Sequence, residues 1–156
     1  MKRISFYLLI ITFIFTTKIF CQNSEDIIGF WLTLDKNTNE PKSQIEIFKN
    51  SDSKFCGKIV WLKKTLKNNM PLKDENNPDE KLRNRTILGL QILSGFEFSD
   101  DEWENGRIYD PESGSTYKCK AWFENDDINK LYLRGYIGFS LLGRNVQWTR
   151  ENKKRE

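Results

Sequence analysis

The chain has 156 residues, of which 25 are Lys or Arg, 22 are Asp or Glu, and none is His. This length corresponds to one ordinary domain with enough residues to bury a hydrophobic core. The absence of histidine removes the commonest metal ligand and the commonest general base, so enzyme classes that depend on histidine are excluded.

The first 21 residues are typical of an export signal. Lys2 and Arg3 precede an almost unbroken apolar run at 4–15, which is shorter than the roughly 20 apolar residues that cross a bilayer. We predict a signal peptide at 1–21 with cleavage after Cys21. The alternative is a lipoprotein in which Cys21 carries the lipid, but bulky Phe20 stands where such a signal has a small residue. We therefore expect an exported protein, periplasmic or secreted, whose residues 22–156 form a single domain with no transmembrane segment.

The basic excess of the chain belongs to the predicted signal peptide. Lys2, Arg3 and Lys18 are basic and no residue of 1–21 is acidic, so removal of this segment leaves 22 basic and 22 acidic residues. Nucleic-acid binding needs a concentrated basic surface. We therefore expect no nucleic-acid partner.

Two cysteines, Cys56 and Cys119, follow the predicted signal peptide. In an oxidising compartment a pair of cysteines favours a disulfide, but the bridge requires neighbouring strands and correctly directed side chains. The alternative is two buried free thiols, which behave as small apolar groups. The sequence leaves both interpretations open.

Short β-type segments alternate with turn-forming residues along the rest of the chain. In 43–49, for example, Ile45 and Ile47 alternate with Gln44 and Glu46, as in a strand with one buried face. We predict eight strands, at 28–34, 43–49, 55–62, 89–98, 103–109, 116–123, 131–137 and 142–150. Eight strands with short connections favour an all-β fold, an eight-stranded antiparallel meander barrel.

The segment 63–86 interrupts this alternation because it is long, polar and rich in Asn, Asp and Lys. Long connections in compact domains are commonly functional lids or disordered linkers. Asn77 as the N-cap, Pro78 at the first helical position and Glu80 two residues later predict a short helix at 78–84. Because a helix implies local order, we expect this segment to be a lid.

The first predicted strand begins with Gly29-Phe30-Trp31, which resembles the G-x-W opening of calycin-type barrels such as lipocalins and fatty-acid-binding proteins. In those folds a basic residue of the last strand packs across the tryptophan at the closed end. Arg150 is placed to do so here, and a guanidinium over an indole gains cation–π attraction. The resemblance therefore implies that Gly29, Trp31 and Arg150 close the barrel.

A longer series of motifs covers nearly the whole chain after the predicted signal. It consists of Gly57-Lys58-Ile59-Val60, Asp74 with Asn77-Pro78, Gly106 with Ile108-Tyr109-Asp110-Pro111, Gly114 with Tyr117, Arg134-Gly135-Tyr136-Ile137-Gly138, and Leu142-Gly143-Arg144 with Trp148-Thr149-Arg150. These motifs are similar to those of the bacterial domain-of-unknown-function family 2147, a family of small secreted proteins. The resemblance implies export and a calycin-like barrel. It implies no activity and no catalytic residue, and neither cysteine belongs to its motifs.

Candidate catalytic groups are few. Neighbouring carboxylates at 100–102 and 126–127 lie in polar turns, where they stay solvated, whereas acid–base pairs need burial to separate their pKa values. Ser140 lies between Gly138 and Gly143 at a predicted turn, which explains the glycines without chemistry. No spacing of metal ligands is visible. We therefore predict no catalytic residue, no metal and no cofactor.

Aromatic residues and arginines provide a candidate ligand site. Five tryptophans and many Phe and Tyr residues suit either a filled core or an apolar cavity, and an eight-stranded barrel can enclose one small ligand. Arg134 and Arg144 interrupt apolar strands, so either could point inward to pair with Asp110 or with an anionic ligand head. The candidate ligand-binding residues are Trp61, Asp74, Asn77, Trp103, Tyr109, Tyr117, Arg134 and Arg144.

The favoured interpretation is a calycin-like barrel that binds a small apolar or amphipathic molecule under the 63–86 lid. One alternative is an enzyme without histidine that acts on a small or envelope-derived substrate, for which we expect a buried cluster of Asp74, Asp110 and Arg134. The other alternative is an interaction protein with a filled barrel. The sequence identifies neither a particular ligand nor an oligomeric state.

Overall fold

Eight antiparallel strands close into one barrel in the computed structural model, which describes residues 22–156. The predicted signal peptide and its cleavage site after Cys21 lie outside the described residues. The strands are β1 (Gly29–Leu34), β2 (Pro41–Lys49), β3 (Phe55–Leu62), β4 (Leu66–Lys67), β5 (Met70–Pro71), β6 (Gln91–Ser99), β7 (Glu102–Asp110), β8 (Ser115–Phe123), β9 (Lys130–Tyr136) and β10 (Arg144–Glu151).

The barrel follows the meander that the sequence predicts. Its strand order is β1-β10-β9-β8-β7-β6-β3-β2, while β4 and β5 form a separate two-stranded hairpin. All eight predicted strands are present, with ends within two residues of the predicted bounds. The predicted all-β, eight-stranded antiparallel barrel is confirmed.

The antiparallel order gives the barrel two different ends. The connections 35–40, 63–90, 111–114 and 137–143 lie at one end, which we call the open end. The turns 50–54, 100–101 and 124–129 lie at the other, the closed end, together with the N-terminal segment 22–28. A 3-10 turn, Ser24–Ile27, in this segment places Ile27 in the core.

Arg150 and Trp31 meet across the β1–β10 pairing, as the G-x-W resemblance implies. The two residues are opposite each other in register, and the Arg150 guanidinium lies 4.2 Å from the centre of the Trp31 ring. Arg150 also donates hydrogen bonds to the carbonyl oxygens of Ile28 (3.0 Å) and Ile128 (2.8 Å). Gly29 lies beside them with φ +135°, a backbone conformation that favours glycine, and a Cβ there would lie 3.0 Å from Nη1 of Arg150.

The closed half of the barrel is filled by aromatic side chains. Trp103 packs edge-on against Phe123 with ring centres 5.1 Å apart, and Phe55 lies edge-on to Trp103 at 6.5 Å. The indole N–H of Trp103 donates to the carbonyl oxygen of Ser24 at 3.0 Å, and that of Trp31 donates to a carbonyl of the same N-terminal segment. These bonds satisfy buried polar groups and seal the closed end.

The connection from β3 to β6 is ordered but contains less helix than predicted. In place of a helix at 78–84 it has one 3-10 turn, Glu80–Leu82. Asp79, not Asn77, caps this turn and accepts the Lys81 backbone N–H at 3.0 Å. The side-chain oxygen of Asn77 accepts the backbone N–H of Asp79 at 2.9 Å, and its amide donates to Asp74 and Tyr109, so Asn77 serves both the local turn and the tertiary contacts.

Cys56 and Cys119 are buried free thiols. They lie on β3 and β8, which are separated in the sheet by β6 and β7. A disulfide needs neighbouring backbone positions, so the structure has the second of the two predicted arrangements. Among residues 22–156, no helix is long and apolar enough to cross a membrane.

Candidate functional site: an open apolar cavity

The open half of the barrel contains a cavity of about 1410 Å³. Its walls are mainly apolar and include Ile59, Ile92, Ile108, Leu133 and Val146. This volume exceeds the range of roughly 300–1,000 Å³ that is typical of small-molecule sites. Side chains therefore fill the closed half of the barrel, whereas the open half contains the cavity.

Strand β10 contributes inward side chains from the floor of the barrel to its mouth. Arg150 covers Trp31 at the floor, Trp148 and Val146 line the cavity wall above it, and Arg144 lies near the mouth. Trp148 is only 5% exposed, and its indole N–H has no hydrogen-bond partner among the described residues. A buried indole usually finds a partner, and Trp148 is one of the residues that line the cavity.

Basic side chains outnumber acidic ones along the cavity lining, by seven to five. Two of the lysines are neutralised by salt bridges, Lys42 with Glu112 at 2.6 Å and Lys67 with Glu75 at 2.8 Å. Within residues 22–156, the basic lining residues that form no salt bridge are Lys36, Lys63, Lys64, Lys73 and Arg144, of which Lys73 lies near enough to Glu75 to interact with its charge. The mouth is therefore weakly basic, while the walls below it are apolar.

Asp74 forms a polar cluster behind the cavity wall. Its carboxylate is fully buried and accepts hydrogen bonds from the hydroxyl of Tyr109 (2.5 Å), the amide of Asn77 (2.8 Å) and Nε of Arg85 (2.9 Å). Nη2 of Arg85 also lies 2.8 Å from the same carboxylate. Since Tyr109 lines the cavity, the cluster connects the 63–90 connection to the wall.

The electrostatics of the cluster keep Asp74 ionised. Burial would raise the pKa of Asp74, but hydrogen bonds from Tyr109, Asn77 and Arg85 and the charge of Arg85 outweigh it, so the pKa lies below the ordinary value. Burial and the bond to Asp74 raise the pKa of Tyr109. Both shifts move these groups away from neutral pH, where a general acid or base works best. The cluster therefore has a structural role, which is to bind the 63–90 connection to β7.

A second contact docks the 63–90 connection on the β7–β8 turn. The side-chain amide of Asn76 donates to the carbonyl oxygen of Glu112 at 2.8 Å. Gly114 has φ +71°, and a Cβ at this position would overlap the carbonyl oxygen of Asn76. A side chain at 114 would therefore separate the two segments, so glycine is required for the close approach.

Five of the eight predicted ligand-binding residues belong to the cavity or to the cluster behind it. Tyr109, Tyr117 and Arg144 line the cavity directly. Asp74 and Asn77 do not line it but bind the hydroxyl of Tyr109. The hypothesis that one of the two strand arginines points inward fits Arg144.

Trp61 lies outside the barrel. The register of β2 and β3 shifts so that Gln44 pairs with Trp61 but Ile45 pairs with Ile59, which leaves Val60 as an extra residue. A bulge of one residue reverses the direction of the side chains beyond it. Trp61 therefore donates to the carbonyl oxygen of Glu156 at 2.9 Å on the outer surface.

Trp103 and Arg134 also lie away from the cavity lining. Trp103 faces inward, but at the closed end, where the aromatic core surrounds it. Arg134 faces outward and binds the side chain of Asn145 at 2.6 Å and the carbonyl oxygen of Leu141 at 2.9 Å. It does not pair with Asp110, which accepts from Ser113 in its own turn.

The cluster expected for an enzyme is therefore not assembled. Asp74 pairs with Arg85 rather than with Arg134, and Asp110 is held within the β7–β8 turn. The carboxylates at 100–102 and 126–127 lie at the closed end, opposite the cavity. Residues 22–156 contain no group of three acidic or cysteine side chains that could hold a metal ion.

Sequence reasoning did not identify the indole of Trp148 or the role of Arg85. Strand alternation could have indicated Trp148, because residues 144, 146, 148 and 150 share one face of β10. Arg85 lies 11 residues from Asp74 across an irregular connection, and no local periodicity relates the two positions.

The closed antiparallel barrel with one open end places the chain in the class of lipocalin-like barrels. It is similar to a solved structure described as protein HP1028 from the human pathogen Helicobacter pylori, which belongs to the lipocalin family. The TM-score is 0.66 and the sequence identity 23%, over 81% of this chain and 83% of that one. At this identity the similarity establishes the fold alone.

A family described as "Uncharacterized protein conserved in bacteria (DUF2147)" matches residues 29–150, and the chain belongs to that family. The resemblance inferred from the sequence motifs is confirmed. No curated protein matches the chain.

Proposed function

We propose that this protein is an exported binding protein, periplasmic or secreted, that holds a small apolar or amphipathic molecule in its barrel. The observation that supports this most directly is the apolar cavity of about 1410 Å³, open at one end. Apolar walls with a few polar groups are typical of small-molecule sites. The signal-peptide pattern at 1–21 supports export.

The distribution of polar groups favours an amphipathic molecule with an acidic head. An apolar body would contact Ile92, Ile108 and Leu133, while the free N–H of Trp148 would meet a hydrogen-bond acceptor at the base. Arg144 and the unpaired lysines would attract a negative head at the mouth. The 63–90 connection borders this mouth, so we also propose that it acts as a lid.

Gly135 offers a direct test of cavity binding. It lines the cavity, and a Cβ there would contact Ile108 and Tyr117 at the ordinary distances of 3.6 and 3.7 Å. Gly135→Phe therefore extends a ring into the cavity. The measurement is the fluorescence of N-phenylnaphthylamine and of a fluorescent fatty acid on titration with the purified protein. We expect saturable binding by the wild type and at least a roughly tenfold weaker affinity in the variant.

The matched control is Gln147→Phe, which adds the same ring to an exposed position of β10 on the outer wall. It should leave the affinity unchanged. Val146→Phe, from a second strand, fills the cavity independently if Gly135→Phe does not fold, as judged by circular dichroism. Equal probe binding by a folded cavity-filling variant and the wild type, or no binding by the wild type, would contradict the proposal.

A further inference from the structure

The β9–β10 loop, residues 137–143, carries the most exposed large apolar side chains of the described chain. Ile137 is 74% exposed, Phe139 82%, Leu141 87% and Leu142 85%. Single apolar side chains are common on protein surfaces, but a contiguous group indicates an interaction site. We call residues 137–143 the apolar loop.

Arg134 holds the apolar loop in a defined conformation. Its Nε and Nη2 donate to the carbonyl oxygens of Ser140 (2.5 Å) and Leu141 (2.9 Å), and its Nη1 donates to the side chain of Asn145 (2.6 Å). A 3-10 turn, Ser140–Leu142, lies inside the loop. The carbonyl oxygens of Ser140 and Leu141 are thus bound to β9, while the apolar side chains of the loop are exposed.

The apolar loop lies at the mouth beside the basic lining residues Lys36, Lys63, Lys64, Lys73 and Arg144, which we call the basic rim. Ile137 and Leu142 border the cavity together with Arg144. The β4–β5 hairpin belongs to the other long connection at this end and exposes Met70, 62% accessible, next to Lys67. Lys63 and Lys64 lie in the same connection and have no acidic partner in the described part of the chain.

The two ends of the barrel differ in charge. The open-end connections 35–40, 63–90, 111–114 and 137–143 contain eight basic and seven acidic residues. The closed-end segments 22–28, 50–54, 100–101 and 124–129 contain one basic and eight acidic residues. In front of a negatively charged surface this asymmetry would orient the open end toward that surface and the closed end away from it.

We propose that the open end docks on an anionic lipid bilayer, with the apolar loop inserted among the headgroups. Apolar side chains flanked by Lys and Arg are the combination with which peripheral proteins bind membrane interfaces. A second copy of this chain fits the same surface poorly, because two basic rims would face each other. The cavity mouth would then open onto the lipids.

The test uses flotation with two kinds of vesicle, phosphatidylcholine alone and phosphatidylcholine mixed with phosphatidylglycerol. We expect the wild type to bind the mixed vesicles and to be released by salt, since screening weakens attraction to the anionic surface. Phe139→Ser with Leu141→Ser should abolish binding. Lys63→Gln with Lys64→Gln should weaken it by roughly fivefold for each lysine.

Matched controls separate docking from general effects of charge and hydrophobicity. Lys118→Gln removes an exposed lysine of the outer wall, and Leu82→Ser removes an exposed leucine that does not line the cavity; both should bind like the wild type. Arg134→Lys keeps the charge but loses the clamp on the loop carbonyls, so it should bind more weakly.

A reporter at residue 141 shows which surface inserts. Because Cys56 and Cys119 are buried, a bimane attached to Leu141→Cys labels that position selectively, and its emission should shift to the blue on the mixed vesicles. No binding by the wild type, equal binding to both vesicles, or binding unaffected by the loop substitutions would each overturn the proposal. So would loop-dependent self-association without vesicle binding.

Membrane docking is separable from ligand binding. Gly135→Phe fills the cavity but leaves the apolar loop and the lysines of the rim in place, so it should still bind the mixed vesicles. Its retention on vesicles together with the loss of probe binding would show that each activity has its own determinants.

Discussion

Two charged side chains, Asp74 and Arg150, stabilise opposite ends of the barrel in the same physical way. Each is withdrawn from water, which is costly for a charge unless hydrogen bonds or an opposite charge compensate. The charge of Arg150 is compensated by hydrogen bonds to backbone carbonyls and by the face of the Trp31 ring. Asp74 is compensated by three donors, Tyr109, Asn77 and Arg85.

Asp74→Asn should destabilise the protein by about 2 kcal/mol at neutral pH, because the amide replaces an acceptor that three donors surround. The sign of the pH dependence follows from the pKa of Asp74, which is lower in the folded protein than its ordinary value of 3.8. The carboxylate therefore stabilises the fold above about pH 4, and this contribution is lost as the pH falls through the folded-state pKa. The free energy of unfolding in urea, determined at several pH values between 7 and 3, measures this contribution.

The control is Asp52→Asn, which changes an exposed carboxylate in the β2–β3 turn. It should have the stability of the wild type at neutral pH. The difference between the wild type and Asp74→Asn should shrink as the pH falls below about 4. A difference that is constant down to pH 3 would show that the carboxylate of Asp74 does not hold the connection.

Among the elements of the fold, the 63–90 connection contributes most to the shape of the cavity mouth. It is ordered without a long helix, since it contains one hairpin, one 3-10 turn and a bridge between Lys73 and Thr86. Its order comes from docking at two places, the Asp74 cluster on β7 and the contact of Asn76 with the β7–β8 turn. The strength of these two contacts therefore sets how readily the connection opens relative to the barrel.

Gly114→Ala should release the connection, because the new methyl group would overlap the carbonyl of Asn76. Gly138→Ala is the matched control, since Gly138 has nearly the same φ, +70° against +71°, but open space around it. Both variants bear a left-handed backbone cost of about 1 kcal/mol. Only Gly114→Ala should accelerate amide hydrogen exchange in 63–90, by roughly tenfold or more. Equal exchange in the two variants would count against docking at this contact.

At the scale of the whole molecule, the barrel combines a packed half and an open half in one closed sheet. The packed half contains the aromatic cluster of Trp31, Trp103 and Phe123, and the open half contains the cavity. Closure pairs β1 with β10, so no barrel strand has an unpaired edge. Cys56 and Cys119 are buried in the wall of this sheet.

Both thiols should resist modification until the whole barrel unfolds. Burial raises the pKa of Cys119 to about 12, so the reactive thiolate is scarce at neutral pH. We expect no alkylation of Cys56 or Cys119 by iodoacetamide in the native protein and simultaneous alkylation of both across the urea transition, read from peptide masses.

Lys118→Cys supplies the control, because it places an exposed thiol next to Cys119 that should react at once. Recovery of a peptide pair linked through Cys56 and Cys119 would contradict the free-thiol structure. Alkylation of one cysteine well before the other would show that the barrel opens in parts rather than as a unit.

Local information in the sequence determined where the strands are and how the barrel closes. Alternation of apolar and polar residues marks each strand, and the pairing of Trp31 with Arg150 was inferred from the resemblance to calycin-type barrels. It also indicated Tyr109, Tyr117 and Arg144, which line the cavity. These features depend on residues close together in sequence or on a pattern typical of the family.

Only the tertiary structure decided which side chains reach the cavity. Side chains alternate across a strand with a period of two, so the one extra residue at Val60 turns Trp61 outward. Whether an inward-facing tryptophan lies in the core or in the cavity depends on how far the aromatic packing extends along the barrel. This extent places Trp103 in the core and Trp148 in the cavity wall. The pairing of Asp74 with Arg85 likewise arises from a chain path that no sequence periodicity encodes.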